Sequence, residues 1–348
     1  MKNQELREKD RLVLAAAVEL YLKTGLPVSS GAIHQKKVLT DSPATIRNIL
    51  VRLGERGYLS QPHASSGRIP TDRGLRFYVN SLLAGIPLTF DRINLFAEDL
   101  SLGGSDLPGI LHQASRVLAD QSDSLGFVIQ PRISRIHFRH IRFIQIAAGK
   151  VMIILMTPFQ LVLTEIVPTD TTFDQVELDR ASQYINASFS GRTLSQVRDC
   201  VLEELGKSTS KFERALSRLT SLLKASIQQD DMEDPIIVQG ASRLIGKFEK
   251  ADLPRLKMLF QNIEEKASLA KLLSEFIALD RVKVLIGSES NMPEISDCAL
   301  VLSHYGDRTQ VLGSLGIIGP KRIPYDKIIP LVDNVAQKIS RTISGASS

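Results

Sequence analysis

Residues 41 to 57, Asp-Ser-Pro-Ala-Thr-Ile-Arg-Asn-Ile-Leu-Val-Arg-Leu-Gly-Glu-Arg-Gly, carry the most restrictive pattern in this chain. Ser42 offers an oxygen to cap a helix, and Pro43 suits the first helical position, where its missing N–H costs nothing. Ile46, Ile49, Leu50 and Leu53 recur at i, i+3, i+4 and i+7, which predicts one buried stripe. Thr45, Arg47, Asn48 and Arg52 are left outside. An arginine can fork onto guanine O6 and N7, an asparagine onto adenine N6 and N7, and a threonine can meet a thymine methyl or a phosphate. All four lie in the first three turns, where helix-turn-helix proteins place their base-reading side chains. Taken alone, the pattern suits an amphipathic surface helix with three arginines equally well.

The flanking sequence narrows the choice. Asp10 to Lys23 predicts a packed helix with Leu14, Val18, Tyr21 and Leu22 on one side, ended by Gly25 and Pro27. A short second helix follows, capped by Ser29 or Ser30, with Ile33 inward. After the third helix, Tyr58 to Gln61 reads as a strand, Pro62 to Ser66 as a loop, Gly67 as a position of positive φ, and Arg68-Ile69-Pro70 as a returning strand. Three helices and a hairpin make a winged helix. His63, Ser65, Ser66 and Arg68 at the hairpin, with Arg56 at the end of the third helix, have the polar and basic character that approaches phosphates or a minor groove. Charge agrees: residues 1–80 hold 13 Lys+Arg against 7 Asp+Glu, net +6, while the remainder holds 30 against 31, net −1. A basic module joined to a neutral body fits a polyanion binder with a regulatory or oligomerising body.

Ser42-Pro43-Ala44-Thr45-Ile46-Arg47-Asn48 and Gln61-Pro62-His63-Ala64-Ser65-Ser66-Gly67-Arg68-Ile69-Pro70-Thr71 resemble the winged-helix signature of the bacterial heat-inducible transcription repressors, the HrcA family. Pro131 to Ile136, Ile286 to Glu289 and Gly313 to Pro320 are similar to later segments of that family in the same order. The resemblance implies an α+β chain in which an N-terminal winged helix-turn-helix precedes a GAF-like domain interrupted by a mostly helical dimerisation segment. It also implies a homodimer on an inverted-repeat operator of double-stranded DNA upstream of chaperone genes, kept active by the GroEL chaperonin. Ser42, Thr45, Arg47, Asn48, Arg52, Arg56, His63, Ser65, Ser66 and Arg68 are the expected DNA contacts. One departure concerns the second helix, where the family usually carries a basic or hydroxyl residue and this chain has Gly31 and Ala32.

Beyond the first domain, Thr71 to Leu83 predicts a linking helix with Leu75, Val79 and Leu82 inward, and Gly103-Gly104-Ser105 a loop. From Leu125 to Val167, β-branched and aromatic runs split by Gly149 and Pro158 predict an antiparallel meander. Asp174 to Leu279 reads as largely helical. Strands resume at Val282–Ile286, Ala299–Leu302 and Val311–Ile318 before a closing helix from Tyr325 to Ile343. The expected divisions are a winged helix with linker at 1–82, a GAF-like domain in two parts at 83–172 and 251–348, and an inserted dimerisation segment at 173–250.

Hydrophobic residues at 43% and charged residues at 23% match an ordinary globular chain. The polar start lacks an export signal, and the apolar run Val151 to Met156 is too short to span a bilayer, so a cytoplasmic protein without a membrane partner is expected. Cys200 and Cys298 have no neighbours at metal-ligand spacing. Gly313, Gly316 and Gly319 lack the order that opens a helix onto a phosphate and read as bends. His137 and His140, three apart in a strand, point to opposite faces and do not share a metal. No catalytic constellation, metal site or cofactor site is legible, so the expected protein is not an enzyme. Two rival readings are a winged-helix regulator whose body binds a small effector, and an enzyme carrying a basic adaptor. Val151 to Met156 is also uncharged and β-prone, and such a segment associates when exposed before folding is complete.

Overall fold

The computed structural model describes residues 6–37, 41–63, 66–85, 107–132, 136–157, 162–169, 172–205, 221–225, 236–245, 282–290, 295–306 and 311–343. Three helices open the chain: α1 (Glu8–Thr24), α2 (Ser30–Gln35) and α3 (Pro43–Glu55). Each boundary has a local cause. Gly25 stands at φ +72° and its N–H donates to the Tyr21 carbonyl at 2.8 Å, closing α1 with a left-handed cap. Of the two candidate serines, Ser29 is the cap of α2, accepting from the Ala32 N–H at 3.2 Å, and Ser30 is the first helical residue. Ser42 caps α3 by accepting from the Thr45 N–H at 3.3 Å, with Pro43 beginning the helix. Ile46, Ile49, Leu50 and Leu53 are buried against Val13, Leu14 and Val18 of α1 and Ile33 of α2 in one apolar core.

Strands β1 (Leu59–Ser60) and β2 (Ile69–Pro70) pair antiparallel, Leu59 opposite Pro70. Val28, in the turn before α2, adds a bridge to Arg68 through backbone hydrogen bonds of 2.8 and 2.9 Å, so the hairpin is anchored on a third segment. This contact corrects the expectation for Gly67, which does not take a positive φ. A β-carbon there would lie 2.7 Å from the Pro27 carbonyl and from Val28, so glycine is required by the close approach of two backbones.

Helix α4 (Asp72–Gly85) leaves the hairpin with Leu75 and Val79 buried. The body is built on a five-stranded antiparallel sheet in the order β7 (Ile236–Gln239), β3 (Leu125–Ile129), β10 (Val311–Pro320), β9 (Cys298–Gly306), β8 (Val282–Ile286). Helices α5 (Leu107–Ser122) and α9 (Tyr325–Ile343) pack on this sheet and on each other. A second apolar cluster, with Leu125, Phe127, Leu300 and Leu302 packed against Leu244 of the short helix α8 (Ala241–Ile245), covers the other face. Burial on both faces explains why β9 and β10 read as continuous apolar runs. Gly316 and Gly319 lie within β10 and not at bends; a β-carbon on Gly316 would stand 2.1 Å from the Val301 carbonyl oxygen of the neighbouring strand. Gly313 adjoins a register shift at the start of the strand.

A separate sheet, β4 (His140–Ala147), β5 (Lys150–Met156) and β6 (Val162–Pro168), carries helix α6 (Gln175–Phe189), followed by α7 (Leu194–Leu205). Because β3 pairs directly with β7, Ile129 opposite Ile236, the described elements between them in sequence, β4 to β6, α6 and α7, are an excursion from the main sheet. That excursion begins before residue 173: β4 to β6 share no hydrogen bond ladder with the five-stranded sheet and belong with α6. The free edge of β4 is satisfied by side chains of α6. Asn186 accepts from the Ile141 N–H at 2.8 Å and donates to its carbonyl at 2.9 Å, Ser182 Oγ accepts from Phe143 N–H at 3.0 Å, and Gln175 accepts from Gln145 N–H at 2.9 Å. A helix thereby stands in for a fourth strand and closes an edge that would otherwise invite pairing. Of the long helical stretch expected to Leu279, residues 206–220, 226–235 and 246–279 lie outside the described residues.

The two parts meet where α4 lies against β8 and the 3-10 turn Gly287–Ser290. Arg76 forks onto the Glu289 carboxylate, with Nε to Oε1 at 2.7 Å, and donates to the Val284 carbonyl at 2.6 Å. Lys321 pairs with Asp72 at 2.7 Å.

Candidate nucleic-acid interface

The surface of α3 turned away from its buried stripe presents Ala44, Thr45, Arg47, Asn48, Val51, Arg52 and Glu55. It is held rigidly. Lys9 of α1 pairs with Asp41 at 2.9 Å, and the His34 ring lies 3.1 Å from the Asp41 carbonyl, fixing the residue that leads into the Ser42 cap. Ser42 and Thr45 hydroxyls stand 3.1 Å apart, so the cap and the first outward side chain share a hydrogen bond. Arg47 and Asn48 project from the next turn and are exposed.

Arg52 has a different setting. Its Nη2 lies 2.7 Å from Asp10 Oδ1, and Asp10 sits in the apolar packing of α1 with 3% of its surface exposed. Burying a carboxylate is costly unless it is paired, and Arg52 supplies the pairing. The guanidinium is therefore engaged in joining α3 to α1. The signal in the sequence was an aspartate ahead of Val13 and Leu14 in the first turn of a packed helix, but nothing local says which cation answers it.

Arg56 follows the helix as its C-terminal cap residue, and its carbonyl accepts from Arg73 Nη1 at 2.9 Å. Arg73 also lies over the Tyr58 ring, 4.5 Å from its centre, which ties α4 to the start of the hairpin. At the hairpin tip His63 is exposed, while Ser66 Oγ accepts from the His63 N–H at 3.0 Å and donates to the His63 carbonyl at 2.8 Å. That serine shapes the loop. Arg68 turns back over α3, its guanidinium resting where a β-carbon on Gly54 would be, 2.2 Å from Nη1. Ser65 lies outside the described residues. The structure thus brings Thr45, Arg47 and Asn48 together on one outward surface, leaves His63 exposed on the hairpin, and engages Arg52, Ser66 and Arg68 in holding these parts. Ala44 and Val51 stand on the same surface, and being apolar they carry no hydrogen-bonding group that would mark them in the sequence as contacts.

Elsewhere, a polar recess between α5 and α8 is lined by His112, Arg116, Asp120, Gln239 and Arg243. Arg243 there donates to the Ala119 carbonyl at 3.0 Å and pairs with Asp120 at 2.5 Å. Among the described residues no group of three or more His, Cys, Asp or Glu is placed to hold a metal ion, and no helix is long and apolar enough to cross a membrane.

Residues 109–329 match the family model described as the HrcA protein C terminal domain. The chain is 35% identical over 341 residues to a heat-inducible transcription repressor HrcA of Geobacter sulfurreducens, covering 98% of this chain and 99% of that one. It is 37% identical over 338 residues to the protein of that description from Xylella fastidiosa strain M12, covering 97% and 96%. The corresponding protein of Xanthomonas euvesicatoria is 36% identical over 331 residues, covering 95% and 94%. A crystal structure of a hypothetical protein superposes with a TM-score of 0.66 at 22% identity, over 99% of this chain and 100% of its own, and shares the fold.

Proposed function

The chain belongs to the HrcA family of heat-inducible transcription repressors, and on that premise we propose that it represses chaperone genes by docking as a homodimer on an inverted-repeat operator. The observation that carries this reading is the rigid outward surface of Thr45, Arg47 and Asn48 beside a short anchored wing. The pair of hydrogen-bonding side chains at Arg47 and Asn48 suits base edges in a major groove, and the wing suits the adjoining backbone. Blocking transcription needs nothing further from the protein than occupancy.

The second sheet supports the dimer. Its outer face carries Ile146, Met156, Val162 and Ile166, each 40% exposed or more, with Met156 opposite Val162 and Met152 opposite Ile166 in register. Apolar side chains on this face, interrupted by the row of Arg142, Ile154 and Thr164, favour a partner surface of mixed character, and a second copy would give the two-fold symmetry an inverted repeat requires. Dependence on the GroEL chaperonin has a physical basis in β5. This strand, uncharged from Val151 to Met156, is paired on both sides in the folded chain, so either edge is open until β4 and β6 are both in place.

The test is a footprint and gel-shift of the full-length protein, with and without chaperonin, on DNA upstream of the chaperone operon of its own genome. Symmetric protection of two half-sites, with more active protein when chaperonin is present, is the expected result. Binding to random duplexes of equal strength would overturn it.

A further inference from the structure

The outward surface of α3 holds an apolar side chain that the hydrogen-bonding residues do not account for. Val51 is 39% exposed and is the large hydrophobic residue that α3 turns to solvent, Ile46, Ile49, Leu50 and Leu53 being buried. It follows Asn48 by three positions, Arg47 by four and Ala44 by seven, so all four share one strip of the helix, and all are exposed. Helix formation gives no reason for it, since a β-branched residue is a poorer helix former than the lysine, glutamate or glutamine that could stand there. Nor does core packing, because the stripe of Ile46, Ile49, Leu50 and Leu53 is complete without it.

The side chains around Val51 leave it uncovered. Arg52, the adjacent long side chain, is drawn to Asp10 on the flank of α3, and Arg68 rests over Gly54. Glu55 lies one turn further on the same strip and would repel the phosphate backbone, which limits close contact to the part of the helix before it. In the major groove one base-edge group is apolar, the 5-methyl of thymine, and an aliphatic side chain is its complement. We infer that Val51, with Ala44 two turns nearer the N-terminus on the same strip, reads thymine 5-methyl groups and is a specificity-determining residue of this surface. The inference rests on the repressor reading and adds to it the identity of a base class and the residue that recognises it.

The experiment uses the full-length protein and the duplex it selects from a random-sequence pool. Thymines of that duplex are replaced one at a time by deoxyuridine, which removes the methyl and leaves every hydrogen-bonding group unchanged. Wild-type affinity falls roughly fourfold at one or more thymines, placed symmetrically in the two half-sites, the effect expected for one buried methyl. V51A binds the thymine duplex several-fold more weakly and is indifferent to deoxyuridine at those positions. V51T, which keeps one methyl, retains part of the discrimination, and unchanged thermal unfolding of both variants shows that the fold is intact. Equal wild-type affinity for every deoxyuridine duplex would overturn the inference and leave the repressor reading standing. So would V51A retaining the full sensitivity to deoxyuridine, since another residue would then read the methyl. Recovery of no preferred duplex at all would bring down both.

Discussion

Arg52 Nη2 lies 2.7 Å from the Oδ1 of Asp10, a side chain 4% exposed, and this ion pair joins the third helix to the first. The contact changes what Arg52 is expected to do. A residue that reads bases loses affinity on its own sequence when truncated, whereas one that seats a helix weakens every complex the helix makes.

Arg52→Ala is accordingly expected to cost about 1 to 3 kcal/mol of stability, less than for a fully enclosed pair because the guanidinium is half exposed. Affinity for operator and for random duplex falls in the same proportion. Replacing Asp10 by Ala and Arg52 by Met together recovers much of the loss, since no buried charge is then left alone. Chemical denaturation alongside binding to both duplexes checks this; a loss confined to the operator would return Arg52 to the base-reading set.

Asn48→Ala is expected to act differently. Thermal stability stays within about 0.5 kcal/mol, because the side chain is exposed, while operator binding weakens by about 1 to 3 kcal/mol. Base preference relaxes at one position per half-site. Competition against operators altered one base pair at a time reads both effects.

Between the two parts of the chain, Arg76 forks onto Glu289 and also reaches the Val284 carbonyl, and Glu289 Oε2 accepts from the Ile286 N–H at 2.9 Å. Glu289→Gln keeps the shape and removes the charge. It is expected to cost about 1 kcal/mol, given that both partners are partly exposed, and to loosen α4 and the elements before it from the body. Limited proteolysis between them becomes faster, and the difference from wild type shrinks as salt is raised.

The two cysteines are expected to react unequally. Cys298 is buried and its thiol is pushed up to about 12, first by burial and then by Asp297. Alkylation of the native protein at neutral pH therefore modifies Cys200, which is partly exposed, and spares Cys298 until the chain unfolds. Mass spectrometry of the alkylated peptides with and without denaturant distinguishes the two.

The amino-acid sequence alone determined the features whose causes lie within a few residues. The serine caps, the proline opening α3 and the left-handed glycine closing α1 act over one turn. The stripe from Ile46 to Leu53 depends only on helical period, so it announced which side of α3 is buried and left Arg47 and Asn48 facing outward. The β-branched and aromatic runs in β4 to β6 likewise showed where strands lie. The signature in residues 42–48 and 61–71, being continuous, was sufficient to indicate the family.

Only the tertiary structure decided matters that join distant parts of the chain. Asp10 found Arg52, Val28 met Arg68 so that Gly67 had to lack a side chain, and Arg68 settled on Gly54. Ile129 paired with Ile236, which made β4 to β6 part of an excursion from the main sheet. Periodicity tells that a face is buried and says nothing of what covers it, because a non-local pairing is selected by the whole packing against the entropy of closing the loop between its ends. Arg47 and Arg52 look alike in sequence for that reason, and a buried carboxylate on another helix tells them apart.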